Sequence, residues 1–284
     1  MVKIILTLLI LIENTYAGVY KSLYDEFLKP GAKSKGYSYA LTASEMGLVS
    51  IFYNPANITF NNNRIGFYFS KENYYLINDI SHLTAGISFK LYNEPTIYSA
   101  FSWRKFDFFD VVAYDDNENI LMWTIGLKRE YISIGINCKY FFSHLNSPEI
   151  QSDSDGYGFD VGFSFKFNRF LIGVSSFNLF AQMKYNDNYI EKLTPYYNLG
   201  INYNISKNLS LYLNGNRLFE ENNINFAVGC KLTKSFSFSI GTSTKKIIGS
   251  GIYLTINKFS LNYGFLYSIN ESTDKSSISF SFDL

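Results

Sequence analysis

Only two histidines occur in the chain, His82 and His144. A hydrolase of the outer-membrane phospholipase kind would need a serine beside one of them. The stretch "IIGSG" at 247–251 lacks the spacing of a nucleophile elbow. Both histidines therefore read as interfacial or loop residues. The stretch "SDSDG", Ser152 to Gly156, has an Asp-x-Asp-Gly look. It lacks the further oxygen ligands and the closing glutamate of a calcium loop. A solvated acidic loop is the plainer reading, and weak calcium binding the alternative. Cys138 and Cys230 are too few to staple a scaffold. No catalytic set, metal site or cofactor motif emerges.

The elements that would carry such residues are strands. The 284 residues hold 24 Tyr and 27 Phe but only 5 Pro, a bias toward β-structure. Net charge is +1, so no basic excess is available for phosphates and nucleic acid is not expected. Mean hydropathy is −0.03, and past the N-terminus no apolar run approaches the ~20 residues of a spanning helix. The start, "MVKIILTLLILIENTYA", has the order of a secretory signal peptide: Lys3, an apolar stretch from Ile4 to Ile12, then small Ala17. Residues 1–17 are read as that signal and 18–60 as short helices and turns. The range 61–284 is read as strands.

Period two recurs throughout the last range. In "NKFSLNYGFLY", Phe259, Leu261, Tyr263, Phe265 and Tyr267 share one face and Ser260, Asn262 and Gly264 the other. "GYGFDVGFSFKF", "YISIGINCKYFF" and "NINFAVGCKL" do the same, with Cys138 and Cys230 on the apolar face. Such alternation means antiparallel strands with one apolar and one polar face. About fourteen strands are expected, with cores at 64–75, 81–92, 95–106, 119–129, 131–142, 157–167 and 169–180, then 196–204, 208–216, 223–232, 235–243, 247–256, 258–268 and 276–284. Longer loops are expected at 105–118, 143–156 and 181–195.

A soluble sandwich would turn the apolar face inward; an outer-membrane barrel turns it toward lipid. Export, an even and large strand number that needs no free edge, and a final strand "SSISFSFDL" favour the barrel, as a monomer. Its polar faces carry Arg64, Lys139, Asp160, Lys166 and Lys231, which either pair to hold an internal plug or are simply solvated. The two cysteines would be free thiols toward lipid. Trp103 and Trp123 would join interfacial girdles, or merely pack between strands.

The stretch "FLKPGAKSKGYSYALTASEMGLVSIFYNPANIT" is similar to the N-terminal signature of the PorV/PorQ family, within the group of FadL-like long-chain fatty-acid transporter barrels. Phe27, Leu28, Gly31 and Ala32 match its first part, and Phe52, Tyr53, Asn54, Pro55 and Ala56 its second. "GYGFDVGFSF", "FLIGVSSFNLFAQMKY", "LTPYYNLGINY" and the terminal "ISFSFDL" also resemble the family. Lys33 stands where the family usually has arginine, Tyr37 and Tyr39 are bulkier than usual, and Glu45 is what remains of an acidic pair.

The resemblance implies that residues 18–60 fold into the barrel as a plug and that Asn-Pro-Ala sits where plug meets first strand. Pro55 fixes its own φ and keeps Asn54 out of helical geometry; the Asn54 side chain is free to bond nearby backbone. An ordinary turn before a strand is the competing reading. PorV/PorQ resemblance implies a secretion-associated barrel that works with exported proteins or secretion machinery. FadL resemblance implies passage of a hydrophobic small molecule through a lateral gap. The break in alternation at Ser175 and Ser176 would be a bulge marking such a gap. A purely structural surface protein is the third reading. Outer-membrane lipid surrounds the barrel in all three.

Overall fold

Alternation of small polar and large apolar residues produces one continuous antiparallel sheet. The computed structural model describes residues 29–74, 80–110, 114–146, 151–186, 189–218, 221–269 and 274–284; the expected signal peptide lies outside them. The strands are β1 (Ile65–Tyr74), β2 (Ile80–Tyr92), β3 (Thr96–Asp110), β4 (Tyr114–Arg129), β5 (Ile132–Asn146), β6 (Gln151–Phe167) and β7 (Phe170–Tyr185). There follow the short β8 (Ile190–Lys192), then β9 (Tyr196–Asn204), β10 (Leu209–Leu218), β11 (Glu221–Lys231), β12 (Phe236–Ser243), β13 (Ile247–Ile256), β14 (Phe259–Ser268) and β15 (Lys275–Asp283). Sequential neighbours pair, and β7 bonds to β9 as well as to β6. The first and last strands then meet in register, from Gly66 opposite Asp283 to Tyr74 opposite Lys275. Fourteen strands thus close a barrel without an edge, and β8 extends beside the upper part of β7.

The apolar face points out. Phe67, Phe101, Trp123, Ile136, Val161, Phe226, Ile252 and Phe280 are all exposed, while Ser70, Thr124, Asn137, Ser164, Asn225 and Ser277 are buried in the lumen. This inversion suits lipid outside. Cys138 and Cys230 are free, half-buried and in phase with the outward residues. Trp103 and Trp123 also point outward; their indole N–H groups donate to Asn119 Oδ1 at 3.0 Å and Ser99 Oγ at 2.9 Å. No helix among the described residues is long and apolar enough to cross a membrane.

One end of the barrel holds the turns at 93–95, 130–131, 168–169 and 257–258, and there the chain enters β1; we call it the turn end, and the opposite one the loop end. The stretches 105–118, 143–156 and 181–195, expected as loops, prove to be mostly strand. Here the apolar-out, polar-in pattern breaks down: Phe106, Ala181 and Met183 are buried inside while Lys184 faces out. The ladder nevertheless continues, with an apolar cluster of Ile120, Phe141, Ala181, Met183 and Leu193 packed on its inner side. β6 has 17 residues and β12 only 8, against the ~9–11 that span a membrane. The wall formed by β3 to β7 therefore rises above the rest at the loop end. "SDSDG" lies in β6, not in a loop. Asp153 and Asp155 are exposed on one face and Ser154 is buried on the other, so the stretch cannot wrap one ion.

Residues 29–60 occupy the lumen. They form α1 (Ala32–Gly36) and two 3₁₀ turns, η1 (Gly47–Phe52) and η2 (Pro55–Phe60). Leu41, Ile51, Ala56 and Ile58 are completely buried. They pack with inward residues of the wall, Tyr68, Tyr98, Met122, Tyr212 and Tyr253 among them.

Candidate functional site

The lumen can hold a segment of chain because the wall is shaved where that segment passes. Gly126 and Gly135 face each other across β4 and β5, and Gly135 faces Gly162 across β5 and β6. A Cβ on Gly135 or Gly162 would collide with Pro55 or Ala56, and one on Gly126 with Ile58 and Thr59. On the opposite wall a Cβ on Gly249 or Gly264 would strike the backbone of α1. Backbone approaches backbone here, which no larger residue permits.

Polar groups then fix the segment. Asn54 is extended at φ −163°, ψ 108°, and its side-chain oxygen accepts from Ala56 N at 3.1 Å, capping η2. Its amide nitrogen reaches Phe163 O at 3.1 Å and Ser164 Oγ at 2.9 Å on β6. Ser175 Oγ donates to Tyr53 O at 2.8 Å, Ser133 Oγ to Ala56 O at 2.7 Å, and Asn137 Nδ2 to Ile51 O at 3.1 Å. Phe52, Tyr53, Asn54, Pro55 and Ala56 are all buried. Non-helical backbone at membrane depth needs this kind of internal partner.

The charged candidates divide. Lys139 and Asp160 form a wholly buried pair at 2.6 Å. Asp160 also accepts from Asn137 Nδ2 at 2.9 Å and from the backbone N–H of Asn178 at 3.0 Å. That N–H turns toward Asp160 where β7 slips against β6 on both sides of Phe159, with Asn178 and Phe180 at positive φ. The wall bulge therefore lies at Asn178 and Phe180, not at Ser175 and Ser176. Both serines keep regular register, opposite Gly162 and Val161; Phe180 swings outward to 86 % exposure. Lys166 pairs with Glu45 of the luminal segment at 2.7 Å, partly exposed. Arg64 and Lys231 are exposed at the turn end and meet no luminal partner among the ion pairs of the described residues.

A second buried cluster stands nearer the loop end. Glu72 accepts from Gly31 N at 2.6 Å and pairs with Lys35 at 2.7 Å. His82, opposite it on β2, approaches Glu72 Oε2 at 3.3 Å and Arg104 at 3.2 Å. His82 is thus neither interfacial nor in a loop; it helps anchor α1 in the lumen. Period two already puts Glu72 in phase with Tyr68 and Ser70, which is the signal that would have revealed it. His144 sits exposed near the loop end, 2.5 Å from Asp153. Lys29, where the described chain begins, lies 2.7 Å from Asn216 with that amide's oxygen turned toward it. Burial pulls its amine down to about 8, with Lys245 and Lys35 adding to the effect.

Two polar cavities open toward the turn end. The inner, about 290 Å³, is lined among others by Lys33, Tyr37, Glu45, Asn202 and Asn262. The outer, about 310 Å³, is lined by Lys207, Lys231 and Lys234 with Ser210 and Ser235. Tyr37, Ser237 and Thr255 border both. Burial lowers the Lys33 amine, and Asp283 opposes the shift.

Against known families, residues 121–283, more than half of the chain, match the type IX secretion system membrane protein family PorP/SprF. The chain belongs to the PorP/SprF family. The match covers β5 to β15 and most of β4; it takes in the later stretches of the PorV/PorQ likeness and does not reach Phe27–Ala56, where its N-terminal part is carried. Among curated proteins no sequence matches it. Solved structures share the fold at low identity. The CymD monoaromatic hydrocarbon channel has TM-score 0.67 and 12% identity over 91% of this chain and 98% of that one. A Pseudomonas aeruginosa FadL homologue gives 0.65 and 11% over 89% and 98%. The Ralstonia pickettii toluene transporter TbuX gives 0.63 and 10% over 88% and 99%. This PorP/SprF-family chain is therefore an outer-membrane barrel of FadL-like fold. Among its described residues no group of side chains is arranged to hold a metal.

Proposed function

We propose that this PorP/SprF-family protein is a non-enzymatic, plugged barrel that serves protein export by holding exported proteins or secretion machinery at the outer membrane. The observation that carries this reading is the fit of residues 29–60. Their backbone is bonded to β5 and β7, the Asn54 and Asn57 side chains to β6, and the segment is seated on wall glycines, so binding surfaces rather than an open pore are what the molecule offers. The turn end would face the periplasm, as short turns do in such barrels, with the raised wall of β3 to β7 outside. The likeness of Phe27–Ala56 to PorV/PorQ supports a shuttle or accessory role. Residues 1–17 would be the export signal.

A second reading, passage of a hydrophobic small molecule, draws on the bulge at Asn178 and Phe180. Native mass spectrometry on protein extracted gently from its own membrane separates the two. A stoichiometric protein partner supports export. Bound fatty-acid-sized mass that survives detergent exchange, with no protein partner, supports transport and removes the first reading.

A further inference from the structure

The lipid-facing wall is not smooth. Across β15, β1, β2, β3 and β4 it carries a groove of about 930 Å³. The small Ala85 makes its floor, with Phe69 opposite it on β1 and Trp103 opposite it on β3. Ile87 lies next to it, between Phe67 and Phe101. The Phe101 and Trp123 rings stack at 6.2 Å, 7° from parallel. Both indole N–H groups are already bonded, to Asn119 and Ser99, so these walls need no water. The outward side chains that line the groove carry no charge. Cations stand directly above it, toward the loop end. Lys71 is one outward step beyond Phe69 and Lys105 one beyond Trp103, ~7 Å in each case. Leu83 stands between them, opposite both, so their strands are ~10 Å apart. Lys71 is exposed among Phe69, Leu83 and Ile278, and it forms no ion pair with a described residue. A lysine that faces lipid is costly unless its ammonium finds an anion or water. Lys105 pairs with Asp107 at 2.9 Å, which takes one of its three donors.

We propose that this groove binds one phosphorylated, multiply acylated glycolipid of the outer leaflet. Acyl chains lie over Ala85 and Ile87 between the aromatic walls, and a phosphate sits between Lys71 and Lys105. The inference takes from the proposed function only the orientation, loop end outward; it does not need the export role. Charge complementarity selects this occupant. An apolar protein segment, or the apolar wall of a second copy, would fill the groove and leave the Lys71 ammonium at the lipid face without an anion. A zwitterionic lipid brings its own cation to the phosphate. Asp107 also accepts from Asn117 Nδ2 at 2.7 Å, a bond to β4 on the far side of β3 from Lys71, so its charge does not answer that lysine.

The chain's two tryptophans both line the groove, so their fluorescence reports on it alone. The test uses the purified full chain in vesicles of brominated phosphatidylcholine, with unbrominated diphosphoryl lipid A or phosphatidylglycerol added in small fractions. Lipid A is expected to relieve the quenching at fractions about tenfold lower than dilution requires, and phosphatidylglycerol only by dilution. Lys71→Gln with Lys105→Gln is expected to remove that tenfold preference, about what two partly exposed ion pairs supply. Ala85→Phe fills the floor, keeps both lysines and is expected to weaken the preference several-fold. Lys184→Gln removes an outward cation at the loop end of β7 and is expected to change nothing. Relief by lipid A that follows dilution alone would overturn the proposal, as would equal relief by phosphatidylglycerol. Equal losses in the Lys71/Lys105 and Lys184 variants would reduce the site to diffuse charge and overturn it too, and so would an undiminished preference in Ala85→Phe. Weak quenching before any addition would place protein, not lipid, in the groove and reject the assignment.

Discussion

Asp160 meets three donors in a site with no water-exposed surface: the Lys139 ammonium, the Asn137 amide and the Asn178 N–H. Asp160→Ala leaves a buried lysine without its counter-ion, a loss of about 3–5 kcal/mol. The folded band on an unheated gel is expected to convert at clearly lower temperature. Lys139→Met with Asp160→Leu removes both charges and is expected to recover most of that loss. A double variant as weak as the single one would mean that the backbone bond to Asn178, not the charge, is what matters. Asn54→Ala with Pro55→Ala unties η2 from β6 and is expected to raise ion leakage in liposomes while the barrel still forms; unchanged leakage and folding would return the motif to an ordinary turn. Strand phase alone was enough to place Lys139 and Asp160 inward. It could not show that Asn178 joins them, because that contact depends on a slip in pairing. Nor could it show that His82 meets Glu72, since those residues face each other only once hairpin register is known.

At the scale of elements, the strands were legible because lipid outside and a polar lumen inside enforce strict alternation; most expected cores agree with the observed strands to within a few residues. Alternation failed as a guide at 105–118 and 143–156, where the wall rises past the apolar-out, polar-in band and buries residues such as Phe106 inside. It misled at Ser175 and Ser176, where two small polar residues imitate a bulge that occurs at Asn178. The glycines were visible as small residues on the polar face, but their purpose was not. Gly135→Leu places a side chain where Pro55 and Ala56 run. The expected outcome is an intact barrel with its luminal segment displaced, seen as new single-channel conductance in a planar bilayer. A tight bilayer with correctly folded protein would show that another contact seals the lumen.

For the whole molecule, the outer face carries exposed aromatic residues, Phe67, Phe101, Trp103 and Trp123 among them. Trp103 and Trp123 lie on neighbouring strands facing lipid, so brominated acyl chains are expected to quench tryptophan fluorescence strongly. Weak quenching would mean a protein partner covers that wall. Family membership was legible only in part from sequence, since one barrel plan serves hydrocarbon channels and secretion proteins alike. The closing contact between β1 and β15 has a consequence in time. The luminal segment is made before any strand, yet it is enclosed only when the last strand docks on the first. After that, the buried stretch 48–60 lies within a closed ring, and its amides are expected to exchange no faster than the wall opens. Their exchange rates become a clock for the barrel, and residues at the beginning of the chain report when its last strand lets go.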